Sequence, residues 1–343
     1  MSSSTATTPI GPSRAIQMPE RGEQQAAGSG FRLPLDPALT LAAIGLAVCS
    51  IVTLEAATRH LIPANPRFYV DRQITYLIVG GVGMLLLSRL DYARLRQFKN
   101  VFYALLILSI LAVFGLGHSA NGAQRAISVP FFSFQASEIG KVLLILSLAA
   151  LVVDRARRLH ERDTTARVML AALVPATLVI AQPDLGSGMV YTVIAFTLLF
   201  VAGTPWRQLA ALVALVIVAL AFVPESHTDF IFAAVGEQYG FLGAALVLCL
   251  YALLISRALR ILVMAKDLFG SLVAAGVTAM LMFQVFVNVG MTIGIMPITG
   301  VTLPLMSYGG SSVITTLLAV GLLQSIYVQA RASEALKGRV LRY

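Results

Sequence analysis

The chain has 343 residues, 58% of them hydrophobic and only 12% charged, against roughly 45–50% apolar and 25% charged in soluble domains. That balance excludes a water-soluble globular domain, and the formal charge of +9 reads as membrane orientation rather than nucleic-acid binding. Cys49 and Cys249 sit in separate apolar runs, which suits packing and points to no disulfide framework or cysteine metal site.

In chain order, the first 33 residues are rich in Ser, Thr, Pro, Gly and Gln without apolar periodicity, and are expected to form a disordered tail. No short apolar stretch with a small-residue cleavage site follows their charges, so a cleavable signal is not expected. Ten apolar spans follow, over 38–54, 74–88, 101–117, 139–153, 168–181, 189–203, 209–223, 230–254, 271–296 and 311–329. Each is near the length that crosses a hydrocarbon core of about 30 Å. Backbone groups in lipid must be satisfied within the segment, so the expected fold is all-α, a polytopic bundle over residues 34–330. Residues 331–343 form a second tail. The period-two alternation of a membrane barrel is absent.

An even number of spans puts both termini on one side. With the amino-terminal tail counted as inside, twenty of the 25 Lys and Arg residues fall in inside segments. Only Arg59, Arg67, Arg72 and Arg125 fall outside, and Lys141 lies within a span. That asymmetry places both termini in the cytoplasm. Asp229, Glu225 and His227 then face the extracytoplasmic side, together with Arg72, Arg125, the 182–188 turn and the 297–310 segment, which suggests a site open to the outer leaflet.

Four stretches could carry chemistry. Glu138 and Lys141 in Gln-Ala-Ser-Glu-Ile-Gly-Lys share a helix face and open an apolar run. They suit either a structural ion pair or part of a polar cavity for a charged headgroup. Asp184, in Gln-Pro-Asp-Leu-Gly-Ser-Gly, is better placed as a helix cap than as a substrate contact. The 288–312 run holds Asn288, Thr292, Pro297, Gly300, Pro304 and the Ser307-Tyr308-Gly309-Gly310-Ser311-Ser312 cluster. Backbone that leaves the helix at this depth should line a polar cavity, with Ser307 as a candidate contact, although serines before a span also suit capping. The fourth stretch is Pro224-Glu-Ser-His-Thr-Asp-Phe-Ile-Phe, where Asp229 sits at the mouth of a span. The histidines show no metal-ligand spacing, and only His227 beside Asp229 is kept as a candidate.

These stretches together resemble the SEDS family (RodA, FtsW, SpoVE), over about residues 34–329 and in order. The 68–73 segment and Asp91-Tyr92 fit the family's early motifs. The resemblance implies a peptidoglycan glycosyltransferase that polymerises lipid II at the outer face of the bacterial cytoplasmic membrane with a class B penicillin-binding protein. It assigns the essential aspartate to Asp229 and the family's charged pair to Glu138 and Lys141. This sequence departs from the pattern in three places. Phe222-Val223 runs straight into Pro224 where the family carries a long loop, Ala126 follows Arg125 where the family has Trp, and Ala136 stands where it often has Pro.

The implied chemistry is attack by an acceptor sugar hydroxyl on the donor's anomeric carbon, with Asp229 as general base. The leaving lipid pyrophosphate needs positive charge, for which Arg72, Arg125, Lys141 or a divalent cation (Mg or Mn) are candidates. A lipid II flippase and a non-catalytic scaffold for the penicillin-binding protein are the competing readings.

Overall fold

The computed structural model describes residues 35–58, 67–116, 118–120, 123–129, 132–158, 162–210 and 231–340. The elements are α1 (Pro37–Thr58), α2 (Phe68–Arg89), α3 (Lys99–Leu116), β1 (His118–Ala120), β2 (Ala123–Val129), β3 (Phe132–Phe134), α4 (Ala136–Asp154), α5 (Arg162–Ile180), α6 (Leu185–Val201), α7 (Ile231–Met264), α8 (Leu268–Thr292) and α9 (Gly310–Val340). Among the described residues, eight helices are long and apolar enough to cross a membrane, the third counted with its lead-in turns from Tyr92, and the apolar α6 is shorter.

Nine of the ten sequence spans correspond to these helices, with ends that differ by several residues. The span at 209–223 falls almost wholly outside the described residues, which end in a helical turn at 206–210. The amino-terminal tail also lies outside them. α9 continues to Val340, so the helix runs well past the expected boundary at residue 330.

The expected all-α architecture holds for the bundle, with one addition. β1, β2 and β3 form a small antiparallel sheet between α3 and α4. Ile127 pairs with Phe134 and Val129 with Phe132 across the β2–β3 hairpin.

α4, α8 and α9 are the most enclosed helices, while α2 and α3 leave most of their surface outward. That outward surface is apolar: Leu41, Ile78, Leu86, Leu108, Phe241 and Val263 are all more than half exposed. A helix that is apolar on every side belongs in lipid or in a core. α7 is bent at Gly240, whose φ of 59° lies in the left-handed region, a conformation a glycine adopts without steric cost.

Two features fix the helices. α2 and α9 approach to backbone contact, since a Cβ added at Gly321 would lie 2.8 Å from the Met84 carbonyl oxygen, and one at Gly80 would lie 3.1 Å from the Ile314 Cα. Small residues permit such close crossing in membranes. Asp36, which precedes α1 and is fully buried, joins three helices. Arg257 of α7 pairs with its carboxylate, the Asp36 amide donates to Gln324 Oε1 of α9 at 2.8 Å, and Leu39 donates to Oδ1 at 2.9 Å. Burial pushes the Asp36 carboxyl up, but Arg257 and the helix amides outweigh it and hold the group below its ordinary value.

Candidate active site at the amino-terminal end of α4

Gln-Ala-Ser-Glu-Ile-Gly-Lys forms the first turns of α4. Lys141 Nζ donates to Glu138 Oε1 at 2.7 Å, and both side chains are at most 4% exposed. A carboxylate and an ammonium taken out of water need each other and further hydrogen bonds. Thr302 supplies one, donating to Glu138 Oε1 at 3.3 Å. Ser312 of α9 and Gln284 of α8 both donate to the Thr302 hydroxyl, at 3.1 and 3.4 Å. Thr302 thereby ties the segment before α9 to the charged pair of α4 and to α8 and α9.

Gly140 sits between the two charges for a packing reason. A Cβ there would collide with the Tyr191 hydroxyl, which donates to the Ser137 carbonyl at 3.0 Å.

Asp184 is the cap of α6, accepting from the Ser187 amide at 3.1 Å through Oδ1. Its Oδ2 takes Ser137 Oγ at 2.7 Å and Gln135 Nε2 at 3.1 Å. The cap and the start of α4 are therefore one network, and Ser311 extends it by accepting from the Gln135 amide at 2.9 Å and donating to the Ser133 carbonyl at 2.7 Å.

Ser307 is turned inward, 1% exposed, and accepts from the Leu303 amide at 2.8 Å. It closes the Leu303–Ser307 turn, in which Leu305 has a φ of +66°. That left-handed conformation is strained for a branched side chain and is held from both sides. Tyr251 donates to the Pro304 carbonyl at 2.6 Å and Ser50 to the Met306 carbonyl at 3.1 Å. Arg72 is half-buried, with its guanidinium 4.4 Å from the Phe68 ring centroid and a hydrogen bond to Tyr308. Tyr308 packs edge-on against Tyr69.

The structure thus gathers Glu138, Lys141, Asp184 and Ser307 at one end of the bundle, with Arg72 against the neighbouring Tyr308. Arg125 lies on β2, and its side chain is outside the described residues, as are Asp229 and His227. Sequence reasoning missed Gln135, Ser137, Tyr191 and Thr302 as members of the network. Gln135 and Ser137 flank Glu138 in a motif that was noted, whereas nothing local marks Tyr191 or Thr302. Gln284, 1% exposed, has its Oε1 without a hydrogen-bond partner among the described residues. No group of three potential metal ligands occurs among the described residues.

The comparison with known proteins decides the family. The FtsW/RodA/SpoVE model, described as a cell cycle protein, matches residues 35–222 and 216–332. The chain belongs to the FtsW/RodA/SpoVE family. Within it, the chain is 29% identical to the peptidoglycan glycosyltransferase MrdB of Escherichia coli K12, over 88% of this chain and 95% of that one. The rod shape determining protein RodA of Thermus thermophilus superposes with a TM-score of 0.72 at 33% identity, over 88% and 98% of the two chains. A chain from a peptidoglycan synthase complex, studied for the coordination of polymerization and crosslinking, superposes at 0.75 with 29% identity over 87% and 99%. With this membership, the apolar helices are those of a multi-pass membrane protein.

The alignment with MrdB spans 360 positions while covering 88% of 343 residues, about 302, so about 58 positions have no residue of this chain opposite them. The family match breaks into two pieces that meet at 216–222, just before Pro224.

Proposed function

We infer that this chain is a peptidoglycan glycosyltransferase that lengthens glycan strands from lipid II, with Asp229 as the general base. The observation that carries this reading is the buried Glu138–Lys141 pair, bonded to Thr302 beside the Asp184 network, in a family whose relatives bear that enzymatic name. An acceptor hydroxyl attacks the donor's anomeric carbon, its proton passes to the Asp229 carboxylate, and the bond from carbon to the pyrophosphate oxygen breaks as the new glycosidic bond forms. Arg72 and Arg125 offset the charge that gathers on the leaving pyrophosphate, and a bound Mg or Mn would add to it. Lys141 supports the site from inside, because Glu138 already neutralises it.

The excess of basic residues on one set of loops supports a cytoplasmic location for both termini and an extracytoplasmic site in the bacterial inner membrane. A class B penicillin-binding protein is the proposed partner. The likeness to a chain of a peptidoglycan synthase complex supports an assembly of that kind.

Purified full-length protein, with and without the penicillin-binding partner, tests this on fluorescent lipid II. The parent should form polymer, and Asp229→Asn should lose about 10²-fold or more in rate. Equal rates for parent and variant would remove Asp229 from the role. The roughly 58 missing positions favour one competing reading, a non-catalytic scaffold. A parent that binds the partner but turns over no lipid II would establish it.

A further inference from the structure

The end of the bundle opposite Glu138 holds a second polar assembly that the glycosyltransferase reading does not use. α3, α4 and α5 converge there around a groove of about 390 Å³, walled by Tyr103 and Ala104, Leu148 and Leu151, and Ala171. Lys99 stands at its mouth. Beyond Lys99 lies a polar pocket of about 620 Å³, whose cations are Arg155, Arg157 and Arg167. An ion pair between Lys99 and Asp154 joins the two spaces, since Lys99 lines the groove and Asp154 the pocket.

The charges do not cancel. Asp154 is shared by Arg96 and Lys99, and Asp163 pairs with Arg167 at 2.8 Å. Arg155 and Arg157 make no ion pair among the described residues, and five cations against two acids leave a surplus of three positive charges. Basic residues at one membrane face are expected of any polytopic protein. Here, however, three of them line a cavity that adjoins, across the Lys99–Asp154 pair, an apolar slot between membrane helices. A slot for hydrocarbon leading to a cationic pocket at the bilayer surface is the shape of a lipid with an anionic head.

We propose that this groove and pocket hold one anionic glycerophospholipid of the bilayer, with its phosphate on Arg155, Arg157 and Arg167 and an acyl chain along Tyr103, Leu148 and Leu151. Zwitterionic lipids lack the net charge that the pocket is built to accept. The bound lipid would brace the carboxyl-terminal end of α4, the helix whose other end carries Glu138 and Lys141.

Native mass spectrometry of the full chain, released from mixed micelles of phosphatidylglycerol and phosphatidylcholine, tests this. The parent should retain phosphatidylglycerol preferentially. Replacing Arg155, Arg157 and Arg167 by Ala should lower that retention by about tenfold or more, and Arg157→Ala alone, at an exposed position, should lower it in part. Leu151→Trp fills the slot without changing charge and should also lower it. A control that removes the exposed Arg94, Arg260 and Arg331 should leave it unchanged. An equal loss in the control, or full retention by Leu151→Trp, would reduce the observation to general surface attraction and overturn the site. Displacement of the lipid by millimolar inorganic phosphate would show a soluble-anion site instead.

Discussion

Ser137 donates a 2.7 Å hydrogen bond to the Asp184 carboxylate across 47 positions of sequence, which couples the turn that presents Glu138 to the cap of α6. The first turns of α4 and α6 are thus held together by one carboxylate. Asp184→Ala removes the cap and both partners of Oδ2, and should cost about 1–3 kcal/mol of stability. Asp184→Asn keeps the acceptor for the Ser187 amide and should cost less. Thermal unfolding in detergent gives the order, and lipid II turnover should fall further in the alanine variant.

Glu138 and Lys141 form a buried pair, so removing one partner should be worse than removing both. Glu138→Gln or Lys141→Met alone leaves an uncompensated buried charge, a change that costs about 3–5 kcal/mol. The double variant should recover much of that stability. A double-mutant cycle on unfolding midpoints checks this, and additive losses would show that the two side chains are not coupled.

The Asp36 pair sets a response to acid. Its carboxyl lies below the ordinary value in the folded chain, so the folded state binds the proton less readily than the unfolded one. The stabilisation is present above the unfolded value of about 3.9 and is lost as pH falls through the lower folded value. Unfolding midpoints measured from pH 7 to pH 3 should drop more steeply for the parent than for Asp36→Asn below about pH 4. Arg257→Ala, which strands the buried carboxylate, should lower the midpoint at pH 7.

Backbone contact between α2 and α9 leaves no room for a side chain at Gly321. A Cβ would meet backbone atoms of Met84 at 2.8 and 2.9 Å, and neither can rotate away. Gly321→Ala should destabilise by about 1–3 kcal/mol, and Gly321→Leu should abolish recovery of folded protein. Gly81 and Gly115 meet nothing within 4 Å, and Ala at either should be tolerated.

Hydropathy and charge alone were enough to read the bundle, because a membrane span must be apolar along its whole length and its flanking charges are uneven. The Glu138–Lys141 pair was legible for a local reason, a three-residue spacing on one helix face. The rest of the network was not. Thr302 reaches Glu138 across 164 positions, and such a contact leaves no trace in local periodicity. The sheet at 118–134 is not legible in the sequence because its strands are short and β2 reads Ala-Gln-Arg-Ala-Ile-Ser-Val, without a regular apolar–polar alternation. The bend at Gly240 was hidden inside a run that looks uniformly helical, since glycine is common in membrane helices and its φ is not written in the sequence.

The glycine contacts of α2 and α9 also bear on traffic. Where Gly321 faces Met84 and Gly80 faces Ile314, the gap is narrower than a hydrocarbon chain, so this seam is closed to anything arriving sideways from the bilayer. Under the proposed function, a lipid-linked substrate approaching Glu138 from the bilayer would have to pass through a different wall of the bundle. The α2–α9 seam thus removes one lateral direction of approach and leaves entry to the remaining walls.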